Sequence, residues 1–63
     1  MDTIFEQAVA IAKAEGKCSV SLLQRRLNLG WGRAKLILDD LEARGIVGPD
    51  RGEGKPRLTI TQA

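Results

Sequence analysis

The sequence predicts a mainly α-helical domain in which three helices precede a small β-hairpin. Apolar residues recur at helical spacing in three segments, and a glycine lies at or near the end of each. The last segment instead alternates with a period of two, which is typical of a half-buried strand. A length of 63 residues fits one small domain.

The helices are bounded by residues that commonly start or stop helices. We predict helices over about 3–15, 21–27 and 31–44. Gly16 is expected to end the first because glycine tolerates the left-handed conformation. Ser21 is expected to be the N-cap of the second, after a short strand-like segment at 18–20.

The third helix is the longest predicted element in the second half of the chain. Its apolar residues at positions i, i+3, i+4 and i+7 define a core face: Ala34, Ile37, Leu38 and Leu41. Gly45 is expected to end it. A short helix, a turn containing Gly30 and a longer helix form the pattern of a helix-turn-helix.

Residues 46–61 are predicted to form the β-hairpin. Ile46 and Val47 are β-branched, the following loop is rich in glycine and proline, and residues 57–61 alternate with a period of two. The order of elements therefore predicts a winged helix-turn-helix domain over residues 1–63.

Composition argues against catalysis. Histidine and tyrosine are absent, and one cysteine cannot form an internal disulfide or a Cys/His zinc site. We therefore expect no enzyme activity, metal or cofactor, and a reducing cytoplasmic location. Ten Lys and Arg against eight Asp and Glu leave a net charge of +2, which is compatible with nucleic acid. No apolar run is long enough to span a membrane.

From Ser19 onward the run SVSLLQRRLNLGWGRAKLILDDLEARGIVGP resembles the C-terminal gamma domain of FtsK/SpoIIIE-type DNA translocases. The positions that match the family pattern are Ser19, Ser21, Gln24, Arg25, Gly30, Arg33, Ala34, Leu41, Glu42, Gly45, Ile46, Val47, Lys55, Pro56, Arg57 and Leu58. The resemblance implies a winged helix that recognises short polar guide sequences in DNA, orients the translocase motor and activates Xer recombination.

Three positions on the third helix depart from this family. Gly32, Leu36 and Asp39 point away from the predicted core face, where a recognition helix meets base edges. The family typically carries Asn, Arg and Glu there, and the resemblance implies that those residues read the guide sequence. Arg can pair with guanine and Asn with adenine, whereas Gly and Leu cannot. We therefore expect an altered sequence preference.

Cations surround this face. We expect contacts to DNA phosphates from Arg25 and Arg26 on the second helix, from Arg33 and Lys35 on the third, and from Arg51, Lys55 and Arg57 in the wing. The alternative for each is an ordinary solvated charge. For Trp31 we favour a ring packed over the turn rather than a contact to the sugar-phosphate backbone. Leu36 could equally be a thymine contact, a protein contact or an unremarkable exposed leucine.

The leading function is double-stranded DNA binding, in DNA translocation and chromosome segregation or as a stand-alone regulator of transcription. The alternative is a protein-interaction module, for example one that contacts a recombinase. We expect a bacterial, nucleoid-associated protein that is monomeric by default. It is either a stand-alone relative of the gamma domain or one domain of a larger protein.

Overall fold

A computed structural model describes residues 3–52 and 55–60 of the chain. The elements in chain order are α1 (Thr3–Glu15), β1 (Lys17–Cys18), α2 (Val20–Leu27), α3 (Trp31–Ala43) and β2 (Arg57–Leu58). The mainly helical architecture with an antiparallel pair of strands confirms the predicted winged-helix fold class. No helix within the described residues is both long and apolar enough to cross a membrane.

The first helix has the bounds that the sequence predicts. It ends before Gly16, whose φ of 76° is the left-handed conformation expected there. The Gly16 N–H donates to the Ala12 carbonyl at 2.9 Å and so closes the last turn. Ala8, Ile11 and Ala12 form the buried face that packs into the core.

The second helix begins one residue earlier than predicted, and its N-cap is Ser19 rather than Ser21. The Ser19 backbone is extended, and its Oγ accepts a hydrogen bond from the Leu22 N–H at 3.1 Å. Cys18 pairs with Arg57 in the sheet. Because the chain leaves this strand pair at residue 18, the next serine takes the cap. Asn28 ends the helix with a left-handed φ of 55°.

The third helix confirms the predicted core face. Ala34, Ile37, Leu38 and Leu41 are all buried. The helix ends at Ala43, one residue before the predicted end, with Arg44 as its C-cap. The buried residues of the core come from all three helices and from the sheet: Ala8, Ala12, Cys18, Leu23, Ala34, Ile37, Leu38, Leu41 and Val47.

The β-structure includes more of the chain than the predicted hairpin. The two strands β1 and β2 are antiparallel, with Lys17 opposite Leu58 and Cys18 opposite Arg57. Val47 bridges Thr59 on the other side, and the Gly48 N–H donates to the Leu58 carbonyl at 2.8 Å. Residues 57–60 therefore lie between 17–18 and 46–48. Residues 53, 54 and 61 of the predicted hairpin lie outside the described residues.

The predicted period-two alternation is present in residues 57–60, but the apolar side chains face solvent and the polar side chains face inward. Leu58 and Ile60 expose 54% and 55% of their surface, whereas Arg57 is buried. The Thr59 hydroxyl also points inward and donates to the Ala12 carbonyl at 2.6 Å. A cationic side chain therefore occupies an inward position of this strand.

Candidate nucleic-acid interface

The outward face of α3 is open to solvent. Gly32 is exposed, and apart from its chain neighbours and the nearby backbone of α3 no atom lies within 4 Å of the position that a Cβ would take there. Leu36 exposes 71% of its surface, although it lies one residue before the buried Ile37. Asp39 is the third exposed position. The prediction that these three residues point away from the core is confirmed.

Asp39 is already engaged by two cations. Lys35 Nζ donates to both carboxylate oxygens of Asp39, at 3.0 and 2.9 Å. Arg57 Nη2 lies 3.1 Å from Asp39 Oδ1. The hydrogen bonds from Lys35 and then Arg57 hold the pKa of the Asp39 carboxyl below its usual value. Asp39 therefore stays ionised, and its oxygens have acceptor capacity that is largely filled.

Arg57 does not occupy the surface position that the sequence suggests. Its side chain is 4% exposed, and its Nη1 lies 2.9 Å from Glu42 Oε1. Its Nη2 also lies 3.8 Å from Asp50 Oδ2. The prediction of Arg57 as a surface cation of the wing is wrong, because the inward side of β2 directs its guanidinium toward α3. A direct phosphate contact from Arg57 thereby loses its support.

A cleft of about 340 Å³ separates the start of α2 from α3 and from the described residues of the wing loop, 48–52 and 55–56. We call it the α2–α3 cleft. Its polar lining residues include Ser21, Gln24, Trp31, Lys35, Asp50 and Lys55. Trp31 exposes 61% of its surface, so the ring is not packed over the turn as the sequence analysis favoured. Sequence reasoning also missed Ser21 as a lining residue; its Oγ lies 3.3 Å from the Oγ of Ser19, which caps the helix and lines the cleft as well.

A second and more open groove of about 730 Å³ lies between α1 and α3. We call it the Leu36 groove, since Leu36 and Ile37 line it together with Phe5. Arg33 lies on its rim and, in the part of the chain that the structure describes, pairs with no carboxylate. Arg44 covers the Phe5 ring at 4.7 Å from its centroid.

The two arginines of α2 are exposed but differ in their partners. Arg26 Nη1 lies 3.2 Å from Glu15 Oε2, and both side chains are about half exposed. A pair of this kind is weak, so a phosphate can compete for Arg26. Arg25 has no carboxylate partner among the described residues.

The wing loop carries two further predicted cations, both exposed. Arg51 Nη1 donates to the Pro56 carbonyl at 3.3 Å, and Lys55 lines the α2–α3 cleft. The loop is held by Asp50, whose Oδ1 accepts from the Gly52 N–H at 2.8 Å. Gly52 has a φ of 78°, which favours glycine at this turn.

Cys18 lines neither the α2–α3 cleft nor the Leu36 groove. Its thiol is fully buried, and desolvation raises its pKa to about 11. The thiol is therefore neutral at physiological pH. Within residues 3–52 and 55–60, no group of three or more Cys, Asp or Glu side chains is arranged to hold a metal ion.

Comparison with known proteins gives a consistent result. Residues 1–61 match the profile of the FtsK gamma domain. A protein named DNA translocase FtsK from Treponema pallidum (strain Nichols) is 46% identical over 56 residues, which cover 89% of this chain and 7% of that protein.

Two further relatives carry the same name. The one from Halalkalibacterium halodurans is 45% identical over 62 residues, which cover 98% of this chain and 8% of its own length. The one from Bradyrhizobium diazoefficiens is 42% identical over 59 residues, which cover 94% and 7%. The chain therefore corresponds to a small part of each relative's length. With a winged-helix fold and a profile match over almost all its residues, the chain belongs to the FtsK gamma domain family.

Proposed function

We propose that this domain binds double-stranded DNA, with α3 as the helix that enters the major groove. The observation that carries the proposal is the exposed face of Gly32, Leu36 and Asp39, which projects from a well-buried helix. A helix in this setting fits the width of the major groove. The relatives are named DNA translocases, which supports DNA as the partner.

Cations on three elements, all exposed except the half-buried Lys35, supply the affinity for phosphates. They are Arg25 and Arg26 on α2, Arg33 and Lys35 on α3, and Arg51 and Lys55 in the wing loop. Arg33 and Arg25 contribute most, because they have no ion pair to break within the described residues. Lys35 contributes less, since it is held by Asp39.

The proposed sequence preference differs from that of the guide sequence. Gly32 offers no side chain to a base, and the acceptors of Asp39 are largely occupied by Lys35 and Arg57. Leu36 is then the outward side chain left to touch a base edge, and the thymine methyl group is the apolar feature in the major groove. Base reading therefore falls to Leu36, with Arg33 beside it.

The biological setting is DNA translocation and chromosome segregation, or regulation by a stand-alone DNA-binding domain in the bacterial cytoplasm. The proposed action is binding, without a catalytic step or cofactor. The domain works as a monomer or as one module of a larger DNA-bound assembly. A footprint this small gives useful specificity when several copies or modules bind together.

Fluorescence polarisation with a labelled random-sequence duplex tests the DNA-binding proposal through matched charge variants. Arg33→Gln should weaken binding by the same factor for every sequence in which Arg33 contacts no guanine. Because one phosphate contact is lost, the slope of log affinity against log salt should fall by about 1. Lys13→Gln is the control, because Lys13 is exposed on α1 and lines neither the α2–α3 cleft nor the Leu36 groove. Equal effects of the two substitutions would contradict the proposed interface.

A second candidate function is protein recognition through the Leu36 groove. It is favoured by the 71% exposure of Leu36 beside Phe5 and Ile37, an apolar arrangement that DNA does not require. The partner proposed for this groove is a recombinase. Calorimetric titration with a purified Xer recombinase should then show binding that Leu36→Arg abolishes while DNA affinity is kept. Unchanged recombinase binding by Leu36→Arg would exclude this role for the groove.

A further inference from the structure

Arg57 joins three separate segments of the chain. It lies on β2, and its guanidinium contacts Glu42 and Asp39 on α3 and approaches Asp50 in the wing loop. We call these four residues the Arg57 cluster. The two contacts to α3 are short, at 2.9 and 3.1 Å, and the contact to Asp50 is longer, at 3.8 Å. One side chain therefore links the recognition helix to both parts of the wing.

The burial of this arginine is not explained by stability alone. A buried ion pair gains little net free energy, because desolvation of the charges offsets their attraction. An apolar side chain of similar volume at such a site is often as stabilising or more so. Residue 57 lies at such a buried, inward position, opposite the buried Cys18. The burial of the Arg57 guanidinium therefore indicates a role in its effect on the three carboxylates around it.

Two of those carboxylates, Asp39 on α3 and Asp50 beside the α2–α3 cleft, lie on the surface that we assign to DNA. The side chains of Asp39 and Glu42 are 47% and 41% exposed, and that of Asp50 is 62% exposed. Unpaired, they would repel phosphates close to Lys35 and Lys55, which line the same cleft as Asp50. Arg57 lies behind them and places the positive charge of its guanidinium there.

We propose that Arg57 is a positioning residue for DNA binding: it fixes the wing against α3 and neutralises the acidic side chains of the DNA-facing surface. The claim that Arg57 promotes DNA binding rests on the proposed function. The claim that Arg57 fixes the wing against α3 concerns the free protein and does not depend on DNA. Arginine suits the role because its fork of donors can serve several carboxylates at once, which a lysine ammonium does less well.

The first test measures duplex affinity by fluorescence polarisation at low salt. Arg57→Met should lower affinity about tenfold, because three carboxylates lose their shared counter-charge. Adding Asp39→Asn and Asp50→Asn to Arg57→Met should restore most of the loss. Because the same two substitutions can raise affinity on their own, a purely structural role predicts that they raise it no more in Arg57→Met than in the wild-type protein. Lys13→Met is the control for removal of one positive charge.

The second test is made by NMR on the free protein. In Arg57→Met the pKa of Asp39 should rise, and the backbone of Asp50–Gly52 should become more mobile in heteronuclear relaxation. Arg57→Lys should give intermediate values. Wing mobility and an Asp39 pKa that both stay at their wild-type values overturn the inference, whatever the DNA result.

The two tests separate the inference from the proposed function. A wild-type protein that binds no duplex at low salt overturns the proposed function and the DNA part of this inference. The NMR comparison still decides whether Arg57 positions the wing. A tenfold loss in Arg57→Met that the two asparagine substitutions do not rescue overturns the charge-neutralising role.

Discussion

Lys35 donates hydrogen bonds from its ammonium group to both carboxylate oxygens of Asp39, one turn further along α3, at 3.0 and 2.9 Å. The pair joins a cation that we propose contacts phosphate with an acid on the proposed base-reading face. The ion pair therefore makes the Lys35 ammonium less available to a phosphate and the Asp39 carboxylate less available to a base. The outward surface of α3 therefore carries less unpaired charge than its sequence suggests.

Asp39→Asn should strengthen DNA binding. The substitution removes a negative charge from the proposed interface and releases Lys35, so the affinity should rise several-fold and the salt slope should steepen by about 1. Fluorescence polarisation against salt measures both. Glu6→Gln, on the exposed side of α1, controls for the change of net charge. Weaker binding by Asp39→Asn would instead show that the carboxylate accepts a hydrogen bond from a base.

Leu36 should make DNA affinity sensitive to thymine methyl groups. A site selected from a random duplex pool should lose affinity about fourfold when the contacted thymine is replaced by uracil, because about one buried methyl group is removed. The Leu36→Ala variant should show no such loss. Equal sensitivity of both proteins to uracil would exclude Leu36 as the residue that contacts the methyl group.

Ser19 should contribute more to stability than Ser21. Because its Oγ accepts the Leu22 N–H, Ser19→Ala should lower the free energy of unfolding by about 1 kcal/mol. Ser21→Ala is the matched control and should change it by less than about 0.5 kcal/mol, since Ser21 is exposed and does not cap the helix. Urea denaturation measures both. The reverse order would return the N-cap to Ser21.

Cys18 should make the fold sensitive to alkaline pH. Burial raises its pKa from 9.0 to about 11, so the unfolded chain releases this proton first. The contribution of Cys18 to stability is therefore constant below pH 9 and is lost as the pH rises from about 9 to about 11. Denaturation over this range, with Cys18→Ala as the control, measures the effect. The same slope in both proteins would show that Cys18 titrates normally.

The helical framework could be predicted because its signals are local. The spacing of Ala34, Ile37, Leu38 and Leu41 identifies a buried face without knowledge of the rest of the chain. Glycine at position 16 likewise ends α1 for a reason that lies in its own backbone. The outward direction of Leu36 follows from the same periodicity.

The features that could not be predicted depend on distant partners. Residues 17–18 pair with 57–58, and this long-range contact decides which serine caps α2. The same pairing directs Arg57 inward, although hydropathy places an arginine at the surface. No local sequence pattern predicts that carboxylates from α3 and the wing loop converge on Arg57. Trp31 similarly lines a cleft to which residues of α2 and the wing loop, distant in sequence, contribute.

The salt dependence of duplex binding by the unmodified protein tests the central claim most directly. Affinity for a random-sequence duplex, measured by fluorescence polarisation from about 50 to 200 mM salt, should fall with a slope near −0.9 for each phosphate neutralised. We predict a slope of about −4 to −5, since about five of the exposed cations should each neutralise one phosphate. The guide sequence of the translocases should bind no more tightly than the random duplex. The absence of binding at the lowest salt concentration would contradict the proposed DNA-binding function.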